Sequence, residues 1–580
     1  MTNRSLKFNT LRGLFVLSLL GITACVDDAY DVSKDVDMTI TVGGENLTIP
    51  GSNTDLITLE KIFDLDPESD VKADANGDYA LTLSGEGSES TVNVENVTIE
   101  GSQIETEQST TTLNFDYVPS QDAEADVNDE THFTVDKNDV TTDVTALYDA
   151  KVTSSSNLEL GFSGNARQLH LAQGFKITFP SYLTVSTSDP RFQMEGNVLT
   201  FTEDIAIQRN QTLIIPISVT AIDFEAMGEG EGLVAPGHLI INGNIPVEGS
   251  AYLRAADFLT QQNVELVLNT AMNIDNIELT EVTAMVNPQV DITIDPVMVN
   301  DLPEFLQDDE VKIDMTDPKI FLNVTNESPV AVNFTADLMP YKETQMLHTI
   351  ALGDKANGTA PIVIPANVTD YVICLHRLSD ANGISADAII SVPDLNNLVE
   401  TIPDEVRIEN IEATAVQERV TMTLGKDYRV KTDYNVVAPL QFNNGTQIIY
   451  SDQMDGWNSD MEDLDVRHAE ISVDATNTIP LAMTMTANAI DRNGNVMDEI
   501  TATVTGSISA GTPESPSVST LTISLVSNSD GALKNMDGIA YRVAAEVPAE
   551  VQGTILNESQ NLKLDNIVIT VKGGVTVDLN

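Results

Sequence analysis

Apolar residues alternate with polar ones along most of this chain, and this period of two constrains the fold more than any other feature. Stretches such as "FKITFP", "TLIIPISVTAI", "LAMTMTANAI" and "STLTISLV" follow the pattern between turn-forming Gly, Asn, Asp and Pro residues. Alternation places apolar side chains on one face of a strand, whereas an amphipathic helix needs a period of 3.6. Helical periodicity is confined to residues 59–65, 302–307 and 395–402. The sequence therefore predicts an all-β protein of tandem antiparallel β-sandwich domains.

The alternation slips by one residue at four places, and each slip contains an acidic residue followed by Asn. The four pairs are Glu95-Asn96, Asp275-Asn276, Glu409-Asn410 and Asp565-Asn566. A one-residue slip turns every later side chain to the other face of a sheet. We predict a β-bulge or a strand that crosses between sheets at each pair, because Asn tolerates unusual backbone angles and bonds to nearby backbone groups. A ligand site shared by the four copies is the alternative.

Two segments of the chain repeat each other without a gap. "TNESPVAVNFTA" begins at Thr325 and "TNTIPLAMTMTA" begins at Thr476, and each follows an alternating strand. We interpret them as corresponding parts of two domains of one type. The Asn-x-x-Pro turn between two strands resembles the Ig-like sandwich of the water-stress and late-embryogenesis proteins. That resemblance implies an Ig-like fold and no particular activity.

The length of 580 residues is too great for one hydrophobic core and predicts several domains of about 100 to 200 residues. We divide the chain into a signal peptide (1–24), a tether (25–36), two sandwich domains (37–130 and 131–263) and two sandwich repeats (264–397 and 398–580). Acidic residues number 89 against 29 basic ones, for a formal charge of -60. A charge of that sign repels nucleic acid, so we exclude a nucleic-acid partner.

The N-terminus has the pattern of a secretory signal. Arg4, Lys7 and Arg12 form a positive region, residues 13–24 are an apolar run too short to span a membrane, and small residues precede Cys25. This pattern resembles the lipobox of bacterial lipoproteins. The resemblance implies a diacylglycerol on the thiol of Cys25 and an acyl chain such as palmitate on the new N-terminus. An ordinary secretory signal with an incidental Cys is the alternative.

The acidic residues that follow Cys25 bear on where the protein is located. Asp27 and Asp28, followed by Asp31 and Asp35, resemble the lipoprotein export signal of Bacteroidota. The early mature chain, "DVDMTITVGGENLTIPGSNTDLITLEKIFDLDPES", also resembles uncharacterised surface lipoproteins of that phylum. These resemblances imply a lipid-anchored protein on the outer face of the outer membrane. A solvated linker without a targeting role is the alternative.

Catalytic and metal-binding motifs are not found in the sequence. The six histidines are scattered, and no HExxH, zinc-type C-x-x-C, G-x-S-x-G or phosphate-loop pattern is present. Apart from Cys25 the only cysteine is Cys374, so we expect no disulfide within the chain and a buried thiol that packs as a small apolar group. We expect no cofactor. The acidic runs "DANGD" (74–78) and "DRNGN" (491–495) faintly resemble calcium loops, although hairpin turns are favoured there.

One polar loop contains a candidate ligand contact. "IIYSDQMDGWNSDMEDLD" (448–465) contains the only tryptophan, Trp457, and Tyr450 lies nearby. Aromatic side chains on loops of sandwich domains often stack on sugar rings, so we predict that Trp457 and Tyr450 contact a ligand. In the alternative, Trp457 closes the end of a sandwich core.

Together these features predict a non-enzymatic outer-membrane surface lipoprotein that binds or adheres to a glycan or protein ligand. A structural role is the second hypothesis, as a spacer or as a fimbria-like subunit that assembles by strand exchange. An enzyme without a recognisable motif is the third.

Overall fold

The structure is a computed structural model. It describes residues 39–42, 46–50, 54–63, 69–288, 294–299, 306, 310–353, 362–380, 383–458, 464–573 and 575–578. The predicted all-β fold is confirmed, since nearly all regular structure in these ranges is strand. The helices in these ranges are short: α1 (Leu59–Phe63) and the 3-10 turns Gly101–Gln103, Phe224–Ala226, Pro393–Leu398 and Ala532–Asn535. Within the described ranges no helix is long and apolar enough to cross a membrane.

The strands of the first half of the chain are β1 (Thr39–Val42), β2 (Asn46–Pro50), β3 (Ile57–Thr58), β4 (Val71–Ala73), β5 (Tyr79–Val92), β6 (Val97–Ile99), β7 (Ile104–Glu107), β8 (Ser109–Phe115), β9 (Ala123–Lys137), β10 (Val144–Gly164), β11 (Gln168–Leu171), β12 (Lys176–Thr178), β13 (Leu183–Ser186), β14 (Phe192–Glu195), β15 (Val198–Phe201), β16 (Ile205–Gln208), β17 (Thr212–Asp223), β18 (Gly232–Ala235), β19 (His238–Leu253) and β20 (Val264–Val286).

The strands of the second half are β21 (Val297–Met298), β22 (Lys319–Asn326), β23 (Val332–Lys342), β24 (Gln345–Met346), β25 (Ile350–Leu352), β26 (Ile362–Ile364), β27 (Val368–His376), β28 (Ala388–Ser391), β29 (Glu405–Ala415), β30 (Arg419–Thr423), β31 (Tyr428–Pro439), β32 (Gln447–Met454), β33 (Leu464–Asp465), β34 (His468–Asn477), β35 (Ala482–Ile490), β36 (Ile500–Thr505), β37 (Ser517–Ser527), β38 (Gly538–Glu546), β39 (Asn561–Lys572) and β40 (Val575–Asp578).

The N-terminal sandwich consists of β6–β20 and β30. One sheet has the order β13-β17-β10-β20-β30, with β6 and β8 also paired to β20. The other has the order β14-β15-β12-β19-β11-β16, with β9 and β18 paired to β19 and β7 paired to β9. Alternating residues of the long strands β10 and β20, such as Leu158, Leu160, Leu266 and Leu268, are fully buried between the sheets. A cavity in this core measures only about 20 Å³, which is room for little more than one water molecule.

Two further sandwiches have matching strand orders. Sandwich A pairs the sheet β28-β27-β22-β31-β5-β4 with a sheet in which β21, β29 and β23 are neighbours and β24, β25 and β26 also pair with β23. Sandwich B pairs the sheet β36-β37-β34-β39-β2, joined by β3, with the sheet β32-β38-β35. Five strands of the two sandwiches correspond in chain order: β22 to β34, β23 to β35, β27 to β37, β29 to β38 and β31 to β39. A further three-stranded sheet has the order β1-β40-β33.

The repeated sequence segments lie at the same topological position. Asn326 ends β22 and Asn477 ends β34, and after each the chain crosses to the opposite sheet. Both side chains are fully buried. The amide of Asn326 donates to two backbone carbonyls at 2.9 Å, and that of Asn477 donates to three at 2.9 to 3.2 Å. The shared Asn therefore holds the crossing turn in each sandwich, because buried backbone carbonyls need a donor.

The domain boundaries predicted from the sequence differ from the strand pairing. Strands between residues 37 and 130 are distributed over all three sandwiches: β2 and β3 pair with β39, β5 pairs with β31, and β6–β9 join the N-terminal sandwich. Likewise β29 and β31, placed in the second repeat (398–580), complete sandwich A. A strand pairs with a sheet whose edge its alternating pattern can cover. For β2, β3 and β5 the partner strand lies hundreds of residues away in the chain.

The slip motifs are three β-bulges and one crossing, as predicted. The register shifts at Asp275-Asn276 on β20, at Glu409-Asn410 on β29 and at Asp565-Asn566 on β39. Asn410 and Asn566 both have a φ of 51°, in the left-handed region that Asn tolerates better than most residues. At Glu95-Asn96 the chain instead leaves sandwich A after β5 and enters the N-terminal sandwich at β6. The four pairs do not share one location, because Glu95-Asn96 links two sandwiches and the other three pairs lie in three different sandwiches.

Candidate functional site

An apolar cavity of about 140 Å³ lies between the two sheets of sandwich A. One wall comes from β5, β22, β27 and β31, and the other from β23, β29 and the segment around β21. Alternation explains the wall: Ile320, Leu322 and Val324 on β22 face inward, as do Val406 and Ile408 on β29. Of these five residues only Val324 is fully buried, since the others face empty space instead of a packed neighbour.

The 3-10 turn Pro393–Leu398 closes one end of the cavity. Leu395 and Leu398 insert from this turn between the sheets and line the cavity. The turn is held by Asn396, whose side-chain oxygen accepts the backbone N–H of Met315 at 2.8 Å in a buried setting. Ala438 and Leu81 lie at the same end of their strands and complete an entirely aliphatic floor.

The opposite end of the cavity has a different chemistry. Thr432 and Tyr434 lie there on β31, and they are the only polar side chains among the lining residues. On the paired strand, a Cβ atom on Gly85 would lie 2.4 Å from the hydroxyl oxygen of Tyr434, so the tyrosine ring lies over the missing side chain. Gly87 also lines the cavity. Burial raises the pKa of Tyr434, so its phenol stays protonated at neutral pH and can donate a hydrogen bond.

None of the described lining residues is an acid or base that titrates near neutral pH. These described residues offer no group to transfer a proton, attack a substrate or hold a metal. The cavity can instead exclude water and take up an apolar group, as dry aliphatic cavities of about 150 Å³ take up benzene or xenon. The arrangement therefore supports binding.

Sandwich B has a filled interior at the corresponding place. Its 3-10 turn, Ala532–Asn535, precedes β38 as the turn Pro393–Leu398 precedes β29. Leu533 and Met536 insert from this turn and are fully buried in a core with Ala469, Ile539 and Val571. The same topology thus surrounds a cavity in one repeat and a packed core in the other.

The predicted ligand contacts Trp457 and Tyr450 lie in different surroundings. Trp457 follows the end of β32, is half-buried against the core of sandwich B, and donates its backbone N–H to the carbonyl of Asp537 at 2.7 Å. Tyr450 lies within β32, where its ring is 6.4 Å from that of Tyr541 and its hydroxyl bonds to Asp452 at 3.0 Å. The position of Trp457 matches the alternative in which it closes the end of the core.

The predicted lipid-attachment residue, Cys25, and the export-signal residues, Asp27 and Asp28, lie outside the described residues. The lipid anchor and the outer-membrane address stay predictions from the sequence.

Two His-Asp pairs lie in the interior of the described part of the fold. His170 lies 3.1 Å from Asp257 and stacks on Tyr252 with ring centroids 4.7 Å apart. His376 lies 3.7 Å from Asp317, which is too long for a hydrogen bond.

Cys374, on the same strand as His376, is fully buried, and burial raises the pKa of its thiol to about 11. The thiol is therefore protonated at neutral pH and unreactive. The expected packing of Cys374 as a small apolar group is confirmed.

The two calcium-like runs form hairpin turns. One carboxylate oxygen of Asp74 accepts the backbone N–H groups of Asn76 and Asp78 at 2.7 and 3.0 Å, and Asp491 does the same in its own turn. These bonds lower the pKa of both carboxyl groups. Within the described ranges, no group of three His, Cys, Asp or Glu side chains is placed to hold a metal ion.

Sequence reasoning missed the cavity. The inward residues of sandwich A read like those of any sandwich core, and alternation does not say how far apart two sheets stand. One signal was present: "LSGEGS" in β5 contains two glycines two residues apart, so two side chains are missing where the register of β5 with β31 shifts.

No protein-family model matches this chain, and no curated protein matches it. Among solved structures, a "putative secreted protein" from Parabacteroides distasonis is similar with a TM-score of 0.36 and 13% identity, over 51% of this chain and 83% of that chain. A "putative membrane anchored protein" from Corynebacterium diphtheriae is similar with a TM-score of 0.10 and 9% identity, over 83% of this chain and 97% of that chain. At these values neither similarity bears on the function of this protein.

Proposed function

We propose that this protein is a non-enzymatic lipoprotein of the outer membrane that works by binding, and that its ligand occupies the cavity of sandwich A. The cavity itself is the observation that supports binding: about 140 Å³ of aliphatic space in one sandwich, where the matching sandwich is packed. Leaving such a space empty costs stability, since cavities in cores destabilise proteins in proportion to their volume. A bound apolar ligand recovers that loss.

The chemistry of the buried groups supports a non-enzymatic role. The His-Asp pairs lie inside the sheets, the thiol of Cys374 is protonated, and the cavity is lined by aliphatic side chains. A glycan ligand has less support, because Trp457 packs against a core. The outer-membrane location rests on Cys25, Asp27 and Asp28 in the sequence.

Thermal unfolding in buffer saturated with hexane tests the binding. The full chain with Cys25→Ala, which cannot be acylated at that residue, is compared with the same chain carrying Val436→Phe. Val436 lines the cavity, so the added ring fills it. Hexane should raise the unfolding temperature of the first chain, because a ligand that binds only the folded state stabilises it, and should leave the filled variant unchanged.

Val518→Phe is the matched control for that experiment. Val518 is 70% exposed in sandwich B, so the same ring is added outside any cavity and the response to hexane should persist. Absence of any hexane effect in the chain with Cys25→Ala would overturn the assignment of the cavity as a ligand site.

Protease treatment of intact cells tests the location. Wild type should be cleaved, and a variant with Asp27→Ala and Asp28→Ala should be protected. Protection of both would place the protein inside the envelope and contradict the surface assignment.

A structural subunit is the second candidate, and one observation favours it. The N-terminal strands β2 and β3 complete the sheet of sandwich B by pairing with β39, more than 500 residues later. The same pairing between two chains would link them by strand exchange. Thr48 and Thr570 face each other in this pairing, so a disulfide between Thr48→Cys and Thr570→Cys reports which occurs. Cross-linked monomers would contradict exchange, and cross-linked polymers would support it.

A further inference from the structure

The shape of the cavity restricts its ligand, if the proposed function is right. On β31 the lining runs from Thr432 to Ala438, and on β22 with the residue before it the lining runs from Pro318 to Val324. Six residue steps along a strand span about 20 Å at about 3.3 Å per residue, whereas two stacked sheets lie only about 10 Å apart. The lined space is therefore longer along the strands than it is deep. It fits an extended chain better than a compact fused ring system.

The two ends of the cavity give the ligand a direction. Leu395, Leu398 and Ala438 make one end wholly aliphatic, whereas the hydroxyls of Thr432 and Tyr434 lie at the other. A hydrocarbon tail therefore fits toward the 3-10 turn. A polar end group fits beside the two hydroxyls, where an unpaired oxygen of the ligand finds a donor.

The polar end lies beside the open edge of a sheet. Within the described residues, β4 covers β5 only from Tyr79 to Leu81, and Gly85 and Gly87 lie beyond that cover. The space over both glycines is taken up by β31, with the ring of Tyr434 over Gly85 and the backbone carbonyl of Thr432 over Gly87. Thr432 and Tyr434 therefore lie close to this open edge.

The charges around this edge disfavour an anion. Glu86 pairs with Asp433 and Glu89 with Lys431 in the strand register, and the ammonium of Lys431 lies 2.9 Å from the carboxylate of Asp433. Three carboxylates thus surround one cation, in a chain whose formal charge is -60. An anionic end group would be repelled there, whereas a neutral one would not.

We infer that the cavity of sandwich A binds one unbranched acyl or alkyl chain that ends in a neutral polar group, such as an alcohol, ester or amide. The chain lies along β22 and β31 with its tail at Leu395 and its end group at Thr432 and Tyr434. Free fatty acids and ring systems of the same carbon count are poor ligands.

Calorimetric titration of the full chain with Cys25→Ala tests this inference with four ligands of ten carbons. These are decane, 1-decanol, decanoate at pH 8 and decahydro-2-naphthol. We expect 1-decanol to bind with one-to-one stoichiometry, decanoate to bind at least about tenfold more weakly, and the fused-ring alcohol not to bind. Val436→Phe should abolish binding, and Val518→Phe should not change it.

Tyr434→Phe tests the position of the end group. The variant keeps the ring over Gly85 and removes only the hydroxyl, so the affinity for 1-decanol should fall about fivefold, as expected for one lost hydrogen bond. The affinity for decane should not change, and this difference separates loss of the hydrogen bond from a change in the cavity.

The outcomes separate this inference from the proposed function. If neither decane nor 1-decanol binds, the proposed function fails. If decane binds, the cavity is a ligand site. The inference about the ligand is nevertheless overturned if decanoate, or the fused-ring alcohol, binds with the same affinity as 1-decanol. If Tyr434→Phe lowers the affinity for decane as much as the affinity for 1-decanol, the proposed position of the end group is overturned.

Discussion

Sandwich A and sandwich B have the same strand order and the same crossing turn, but their interiors are filled differently. In sandwich A the inward residues of β22, β29 and β31 surround a cavity of about 140 Å³. In sandwich B, Leu533 and Met536 from the matching 3-10 turn are fully buried in a packed cluster with Ala469, Ile539 and Val571. The topology is therefore maintained by something other than core filling.

The crossing turn is one such element. Asn326 and Asn477 are buried, and each supplies the donors that the backbone carbonyls of its turn require. Because the turn and the edge strands secure the sheets, the side chains between them are free to differ. This separation allows one repeat to lose packing and gain a binding site.

The largest effect is expected from removing the crossing asparagines. Asn477→Ala should destabilise sandwich B by about 4 kcal/mol and Asn326→Ala should destabilise sandwich A by about 3 kcal/mol, because each buried group left unpaired costs about 1 to 3 kcal/mol. Hydrogen exchange of the β34 and β22 amides measures each loss. Asn323→Ala, at an exposed position on β22, is the control. An effect of Asn477→Ala no larger than the control would show that the amide does not hold the turn.

Truncation of the inserted leucines should distinguish a filled interior from a hollow one. Leu533→Ala should destabilise sandwich B by about 4 kcal/mol, within the range for a well-packed core leucine. Leu398→Ala should destabilise sandwich A by only about 2 kcal/mol, because Leu398 lines the cavity and is 8% exposed, whereas Leu533 is fully buried and has more contacts to lose. Denaturant dependence of hydrogen exchange in each sandwich gives the two values. Equal losses would mean that the two interiors are packed alike.

Enlarging a valine should have opposite signs in the two sandwiches. Val473 is buried on β34, so Val473→Phe should overpack sandwich B and destabilise it by about 2 kcal/mol. Val436→Phe fills the cavity and should leave the stability of sandwich A unchanged or raise it by about 1 kcal/mol. Thermal unfolding compares the two variants. Destabilisation by Val436→Phe as large as that by Val473→Phe would show that the cavity does not accept a ring.

The smallest expected effect is a change in acid stability at the bulge of β39, where Asn566 bonds to Asp474. In sandwich B, hydrogen bonds from Asn566 and Thr520 lower the pKa of Asp474 below its ordinary value of 3.8. The stability that this carboxylate contributes is complete above pH 3.8 and is lost as the pH falls through the lowered value. Unfolding measured from pH 5 to pH 2 should therefore show a smaller decline in Asp474→Asn than in wild type. An equal decline in wild type and in Asp474→Asn would indicate that acid acts elsewhere in the molecule.

Local features of this fold were predictable from local sequence. Alternation predicted the strands, the acidic-Asn pairs predicted the bulges at Asn410 and Asn566, and the repeated Asn-x-x-Pro turn located the crossings after Asn326 and Asn477. Each depends on a few consecutive residues whose backbone preferences are strong. Cys374 followed the same logic, because a cysteine in an apolar strand packs inward.

Long-range features were not predictable in this way. The sequence of β5 does not indicate that its partner is β31, some 350 residues later, or that β2 completes a sheet with β39. Trp457 looked like an exposed loop residue, and its contact with the core of sandwich B depends on where the strands around it come together.

By itself, the sequence determined that the chain is built of β-sandwiches and where its strands slip and turn. That nucleic acid is not a partner stays a prediction from the formal charge of -60. These properties depend on residue periodicity and composition, which act locally or as sums over the chain. Only the tertiary structure decided that sandwich A is hollow and that its polar groups gather at one end beside Gly85 and Gly87. A cavity is a property of the distance between two sheets, and that distance is set by all the side chains between them at once.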